Sequence, residues 1–498
     1  MTSVLAIDAG TTGVRVVAVD EHGNLGPFAY RELPQHFPQP GWVEHDPVDI
    51  LDATLATLAE VASGIAERDE TIAAIGITNQ RETAVVWDAS SGTPRHRAVV
   101  WQDRRTADRC DELRAAGYEP LVRARTGLVL DPYFSATKLE WLLTVGGVEV
   151  DDDLRFGTVD SFLLWHLTGG PDGGVHATEP SNACRTMLYD LDALAWSDEL
   201  CELFGVPRSC LPEVRPTSGR FGTTVPARAG GLALPVSGVA GDQQAALFGQ
   251  ACFEPGMTKN TYGTGSFVLV NIGTEHPPPT AGLLTSVGWQ LGESSAPTYV
   301  MEGAIFATGA AIQWLRDGLE IIADAAETGP LAASVDDTGG VYVVPAFTGL
   351  GSPWWDPRAR GSIFGLTRGT GRAHLARAVV ESMAWQTLDV VDAIVAAAGT
   401  QTTELRVDGG ASVMDVLCQF QADVLGVPVR RPAVTETTAL GAAYLAGIAE
   451  GVWASPEEAA ASWSEEAAFA PAMPSDEVAR RRQGWQRALD RSRDWARD

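Results

Sequence analysis

The chain has 498 residues, 45% of them hydrophobic and 20% charged, so it is a folding sequence too long for one core, and two large domains are expected. The formal net charge of −28 argues against nucleic acid and anionic membrane as partners. It leaves room for a phosphate ligand, because backbone amides and a cation can neutralise phosphate locally.

Two apolar runs, Val4–Ala9 and Val14–Asp20, flank a Gly/Thr turn and read as a β-hairpin. Backbone amides crowd in such a turn and suit phosphate oxygens, and Asp8 at the first strand's end could hold hydrated Mg²⁺. The plain alternative is a surface hairpin. A helix is expected from about Asp46 to Glu67, with Ile50, Leu51, Leu55, Leu58 and Val61 on its apolar face. The buried-type strand Ala73–Thr78 runs into Asn79-Gln80-Arg81-Glu82-Thr83, and another strand covers Ala84–Trp87. This strand–helix–strand rhythm predicts an α/β sheet with ligand-facing loops at strand ends. Arg81 and Glu82 side by side could serve adjacent hydroxyls of a polyol, or form a surface salt bridge worth little. Trp101 closes the strand Ala98–Trp101, either as core or as an aromatic wall against a carbon skeleton, and a helix opens within Asp131–Trp141.

Residues 145 to 235 are rich in turns and read as the rest of the first domain. The strand Leu234–Ala240 ends at Gly241-Asp242-Gln243-Gln244, where Asp242 is either a general base or a helix N-cap. The domain boundary is placed just beyond, giving domains 1–247 and 248–498. A second strand–turn–strand device, Asn260 to Val270 around Tyr262-Gly263-Thr264-Gly265, repeats the first half a chain later. A helical stretch over Met301–Leu315, a strand Val341–Val344, a long amphipathic helix over 372–398 and a strand Leu405–Val407 follow. That strand runs into Asp408-Gly409-Gly410, where a flat ligand can approach the backbone. The Ala/Glu-rich segment beyond about 454 reads as peripheral helix.

Neither lysine, Lys138 or Lys259, follows a glycine, so no P-loop of the GxxxxGK type exists. The six scattered cysteines show no metal or CxxC spacing, which fits a reducing compartment. With no basic leader and no membrane-length apolar run, a cytoplasmic protein without a membrane span is expected.

The ordered set of motifs resembles the FGGY carbohydrate kinases, over nearly the whole chain from Asp8 to about Gly451. It comprises Gly10-Thr11-Thr12, Gly41 to Pro47, Asn79 to Thr83, Trp101 to Arg105, Tyr133 to Trp141, Gly241 to Gln244, Tyr262 to Gly265 and Gly361 to Gly369. The Asn-Gln-Arg-Glu-Thr cluster with Trp101 and Tyr133 is similar to the branch that acts on glycerol. The resemblance implies an α/β fold of two actin-like (ribonuclease H-like) domains with a ligand cleft between them, ATP and Mg²⁺ as cofactors, and transfer of phosphate to glycerol. Another polyol or a ketose such as xylulose is the alternative acceptor. By match to the family's motifs, Arg81, Glu82, Tyr133, Asp242 and Gln243 are the glycerol ligands, and Trp101 and Phe267 the aromatic walls. Asp242 is the catalytic base and Asp8 the carboxylate near Mg²⁺. Thr11, Thr12, Gly13, Arg15, Thr264, Gly309, Gln313 and Gly410 match nucleotide contacts, and Met414 stands where the family often has an Asn. The loop Gly230-Gly231-Leu232-Ala233 lacks the Arg with which some members bind fructose 1,6-bisphosphate, and no His lies between 177 and 275 for the phosphorylation switch of others. The expected partners are the small-molecule substrates and further copies of the chain, as a homodimer or homotetramer.

Overall fold

A computed structural model describes residues 1–68 and 70–496. The chain divides into two α/β units, one formed by 1–251, 285–299 and 436–463, the other by 252–284, 300–435 and 464–498.

The first unit is built on a six-stranded sheet. Its strands are β1 (Thr2–Ala9), β2 (Gly13–Asp20), β3 (Leu25–Glu32), β4 (Thr71–Asn79), β5 (Ser218–Thr223) and β6 (Pro235–Gly241), in the order β5-β6-β4-β1-β2-β3. β1, β2 and β3 form an antiparallel meander, while β4 runs parallel to β1 and β6 parallel to β4. The carboxyl ends of β1, β4 and β6 therefore lie at one edge, where α/β sheets place their ligands. The helix Pro47–Ala66 starts where the sequence predicts, with the Asp46 carboxylate accepting from the Val48 amide and Pro47 in the first turn. Ile50, Leu58, Val61 and Ile65 turn inward to meet Leu5, Ile7, Val14, Val16, Ile75 and Ile77. The helix Thr437–Ala449 also belongs to this unit, and it lies against β4 and β6. A Cβ on Gly76 would sit 2.1 Å from the Ala442 carbonyl oxygen, so only glycine permits this approach.

The second unit repeats the plan. Its strands β7 (Met257–Tyr262), β8 (Ser266–Gly273), β9 (Thr298–Ile305), β10 (Glu404–Asp408), β11 (Val429–Pro432) and β12 (Glu465–Phe469) run in the order β9-β8-β7-β10-β11-β12. β7 and β8 are an antiparallel hairpin, β10 is parallel to β7, and β11 is parallel to β10. The helix Arg372–Ala398 covers the sheet and stops at Gly399, which adopts φ 70°. Val379, Met383, Trp385, Leu405, Val407 and Phe420 form the centre of this second core.

Two sequence expectations are corrected. The stretch 301–315 is not one helix: β9 runs to Ile305, and a short helix occupies Gly309–Gln313. From Tyr299 to Ile305 β9 is buried at every residue, and a Cβ on Gly303 would lie 2.3 Å from the Val390 side chain. A strand buried on both faces is a continuous apolar run, which its sequence cannot distinguish from a buried helix. The segment beyond 454 is not all peripheral helix either. β12 pairs antiparallel with β11, and the helix Ser475–Ser492 puts Trp485, Ala488 and Leu489 into the second core. Three and four residues apart, these side chains share one face that overall composition hides.

The six cysteines are buried and form no disulfide among the described residues. No described helix is long and apolar enough to cross a membrane.

Candidate active site

β4 ends in a turn that aims two charged side chains. Glu82 is a non-glycine residue at φ 62°, and the Thr83 amide donates to the Arg81 carbonyl at 2.8 Å across it. A left-handed residue inside so tight a turn stores strain, which persists only where the surroundings hold it. Here the Ser135 hydroxyl donates to the Glu82 carbonyl at 3.0 Å, and Arg185 Nε donates to the Glu82 carboxylate at 2.6 Å. The pair is not a surface salt bridge: the side chains of Arg81 and Glu82 are each 2% exposed. Burial holds the Glu82 carboxyl above the usual carboxylate range, and the Arg185 and Arg81 guanidiniums only partly offset the rise.

Asp242 reaches the same place from β6. Gly241 is the cap, and the helix Asp242–Gly249 begins at Asp242 itself. The Asp242 Oδ1 atom accepts from the Gln243 amide at 2.7 Å and lies 3.2 Å from Arg81 Nε. Arg81 also donates from Nη1 to Gln244 Oε1 at 3.1 Å. The Asp242 side chain is 28% exposed, so the carboxylate between these buried partners remains reachable from outside.

Tyr133 and Trp101 complete the cluster. Their rings meet edge-on at 5.5 Å, and the Arg185 guanidinium lies 5.3 Å from the Tyr133 ring centre. The Trp101 indole N–H donates to Thr11 Oγ1 at 2.9 Å, which ties the aromatic wall to the first Gly/Thr turn. Lys138, fully buried, donates to the carbonyls of Tyr133 and Phe134 at 2.5 and 3.1 Å. Burial lowers its ammonium to about 8, against the upward pull of Glu82, Asp103 and Asp131.

Thr11, Thr12 and Gly13 form the turn between β1 and β2. The Gly10 amide donates to Gly13 O at 3.0 Å, and the Tyr30 ring packs over Gly13. Arg15 pairs with Glu436 and lies over Tyr30 at 5.8 Å. Asp8 stands opposite Arg15 in the β1–β2 register. Burial raises its carboxyl to about 7, with Asp242 and Glu436 adding to the rise and Arg15 opposing it. Such an excess of carboxylate charge fits a hard cation. Among the described residues no group of three His, Cys, Asp or Glu side chains forms a metal cage. One carboxylate, completed by phosphate and water, is the mode of binding that suits Mg²⁺.

In the second unit, four of the proposed nucleotide contacts collect at the carboxyl ends of β7, β9 and β10. The amides of Gly309 and Ala310 donate to Gly263 O and Thr264 O, each at 3.0 Å. A Cβ on Gly309 would lie 2.6 Å from Gly263 O, so this glycine serves close backbone packing against the turn. Gln313 is exposed on the same short helix. Gly409 abuts the Tyr262 backbone, and Gly410 beside it has nothing within 4 Å of a would-be Cβ. An open glycine at a strand end suits a flat ligand. Phe267 is half-buried on β8. Met414 closes the turn Gly410–Val413 and is 8% exposed, packing in the second core against Gly329.

Residues 3–249 match the FGGY family of carbohydrate kinases, N-terminal domain, and residues 258–450 match its C-terminal domain. The chain belongs to the FGGY family of carbohydrate kinases. Among the relatives of this FGGY kinase, the glycerol kinase of Carboxydothermus hydrogenoformans is 53% identical over 496 residues, 99% of this chain and 98% of the relative. Glycerol kinase 2 of Thermotoga maritima is 52% identical and covers 99% of both chains. The crystal structure of Plasmodium falciparum glycerol kinase with ADP superimposes with a TM-score of 0.94 at 32% identity, covering 99% of this chain and 98% of that one.

Several residues packed behind this cluster are not signalled by the sequence. Glu179 is buried and accepts from the Ser181 hydroxyl at 2.5 Å and from Thr217 at 2.9 Å, while Ser181 Oγ accepts from the Gly241 amide at 2.9 Å. Asn79 and Asn182 exchange amide hydrogen bonds at 3.1 and 3.2 Å. These contacts fasten the segment 179–182 behind the ends of β4 and β6. The run Glu179-Pro180-Ser181-Asn182 reads as an ordinary turn, so only the order of its polar residues could have signalled it.

Proposed function

We propose that this chain transfers the γ-phosphoryl group of ATP to a terminal hydroxyl of glycerol, giving sn-glycerol 3-phosphate and ADP. The observation that carries the reading is the contiguous cluster Arg81, Glu82, Trp101, Tyr133 and Asp242. It occurs in a chain 53% identical, over nearly all its length, to a protein named glycerol kinase.

Arg81 donates to, and Glu82 accepts from, neighbouring hydroxyls, and hydrogen bonds to charged groups contribute about 1.5–3 kcal/mol each. Tyr133 and Gln243 complete the polar contacts, and Trp101 and Phe267 face the carbon skeleton. Asp242 accepts the proton of the attacking hydroxyl. The Arg81 guanidinium and the Gln243 amide at Oδ1 hold that carboxylate in place. General-base help of this kind is worth about 10²–10⁴-fold. Arg15 and the turn at Thr11–Gly13 hold phosphate, as do Thr264, Gly309 and Gln313, while Gly410 lies by the nucleoside, and Met414 closes the short turn that begins at Gly410. Asp8 would hold Mg²⁺, which when bound offsets charge on the phosphate oxygens. The buried, unbridged cysteines support a cytoplasmic setting, and a homodimer or homotetramer is the assembly we assign.

The test is coupled ADP release with glycerol, other polyols and xylulose as acceptors. Glycerol should give the highest kcat/KM; a higher value for xylulose would overturn the choice of substrate.

A further inference from the structure

Arg185 lies on a short turn, Cys184–Thr186, and its side chain is fully buried. A guanidinium taken out of water must be held by partners of good geometry, because its desolvation is costly. The partners here are informative. Nε donates to the Glu82 carboxylate at 2.6 Å, and Nη1 donates to Ser286 Oγ at 3.1 Å. The planar group also lies 5.3 Å from the Tyr133 ring centre and 5.0 Å from that of Phe134. One side chain thus touches two residues of the acceptor cluster that come from different segments, Glu82 after β4 and Tyr133 before the helix Ser135–Thr144.

We infer that Arg185 is a positioning residue for the acceptor: it fixes the Glu82 carboxylate relative to the Tyr133 ring. The inference rests on Glu82 and Tyr133 being glycerol contacts. The backbone of Glu82 sits at φ 62°, which this residue type does not favour, so its carboxylate stays in place only while something holds it. Arg185 supplies that hold at the end that meets substrate. It also fills the space behind the Tyr133 ring with a flat, charged group that lysine cannot copy. Arg185 touches no reacting atom, so its loss should weaken acceptor binding and leave nucleotide binding alone.

Arg185→Gln, Arg185→Lys and Ser286→Ala are compared with the wild type by coupled ADP release, with melting temperatures recorded for each. Arg185→Gln should raise the glycerol KM by roughly 10- to 150-fold, the range of one lost charge-assisted hydrogen bond, with the ATP KM unchanged within about twofold. Arg185→Lys should fall between Arg185→Gln and the wild type. Ser286→Ala keeps the buried charge and removes a single support, so it remains informative even if the arginine variants fail to fold. It should raise the glycerol KM about threefold. An unchanged glycerol KM in folded Arg185→Gln, or in Ser286→Ala where the arginine variants do not fold, overturns this inference alone, as does a rise shared equally by the ATP KM. A wild type without glycerol-dependent turnover overturns the proposed function and this inference together.

Discussion

Gly241 precedes Asp242 at the end of β6, and its backbone adopts φ −62° and ψ 149°, which alanine enters freely. Any effect of Gly241→Ala must therefore come from its methyl group. A Cβ at this position would lie 2.7 Å from Arg81 Cδ and 2.8 Å from Arg81 Cγ. Carbon atoms pack best at about 3.5–4.0 Å, so the arginine stem has to move by about 1 Å. The atoms in the way are mid-chain methylenes of a buried side chain, so little freedom exists to absorb the shift. Arg81 Nε now lies 3.2 Å from Asp242 Oδ1, and a displacement of this size takes the pair out of hydrogen-bonding range. Losing a hydrogen bond between charged groups costs about 1.5–3 kcal/mol, which is roughly 10- to 150-fold in kcat/KM for glycerol. Overpacking adds a stability cost of about 1–3 kcal/mol. Steady-state kinetics at saturating ATP reads the first effect and thermal melting the second. If Gly241→Ala kept kcat/KM for glycerol within about twofold of the wild type, the Arg81–Asp242 contact would not support acceptor binding.

Trp101→Phe preserves the aromatic wall but removes the indole N–H that Thr11 accepts at 2.9 Å. A neutral hydrogen bond is worth about 1 kcal/mol, so roughly a fivefold loss in kcat/KM for glycerol is expected; no loss in titrations of either substrate would contradict that role. Burial raises the Asp389 carboxyl to about 7, against the Trp485 indole hydrogen bond and the Arg482 charge that lower it. The folded chain then keeps this proton up to about pH 7, while the unfolded chain releases it near 4, so stability falls as pH rises between those values. Chemical denaturation from pH 4 to pH 8 should show that decline in the wild type and a shallower one in Asp389→Asn; parallel curves would refute the assignment. Fructose 1,6-bisphosphate at millimolar concentration should leave the rate unchanged, since the loop Gly230-Gly231-Leu232-Ala233 carries no arginine; inhibition in the low micromolar range would contradict this.

The sequence was most legible where local chemistry and fold agree. The capped helix Pro47–Ala66 and the glycine-stopped helix Arg372–Ala398 carry their boundary signals in their own residues. The two Gly/Thr hairpins stand out because each sits between strands of strong alternating or apolar character. What remained hidden depends on contacts far apart in the chain. β9 reads as helix because burial on both faces erases its period. Arg185 looks like one more surface arginine until Glu82 arrives from 103 residues away. Likewise Glu179 and Ser181 acquire meaning only beside Thr217 and Gly241. Met414 packs into the second core, a contact that its neighbours in the sequence do not signal. At Arg81–Glu82 the sequence left open a surface salt bridge, and their burial closes that alternative.

In the proposed reaction Asp242 takes the proton from glycerol as phosphate is transferred. The most direct measurement is kcat for glycerol-dependent ADP release by Asp242→Asn, at saturating ATP and glycerol. The amide keeps the size of the side chain and cannot accept a proton at this pH. The variant's kcat should be lower by at least about 100-fold, with a melting temperature close to that of the wild type. A near-normal kcat would contradict it.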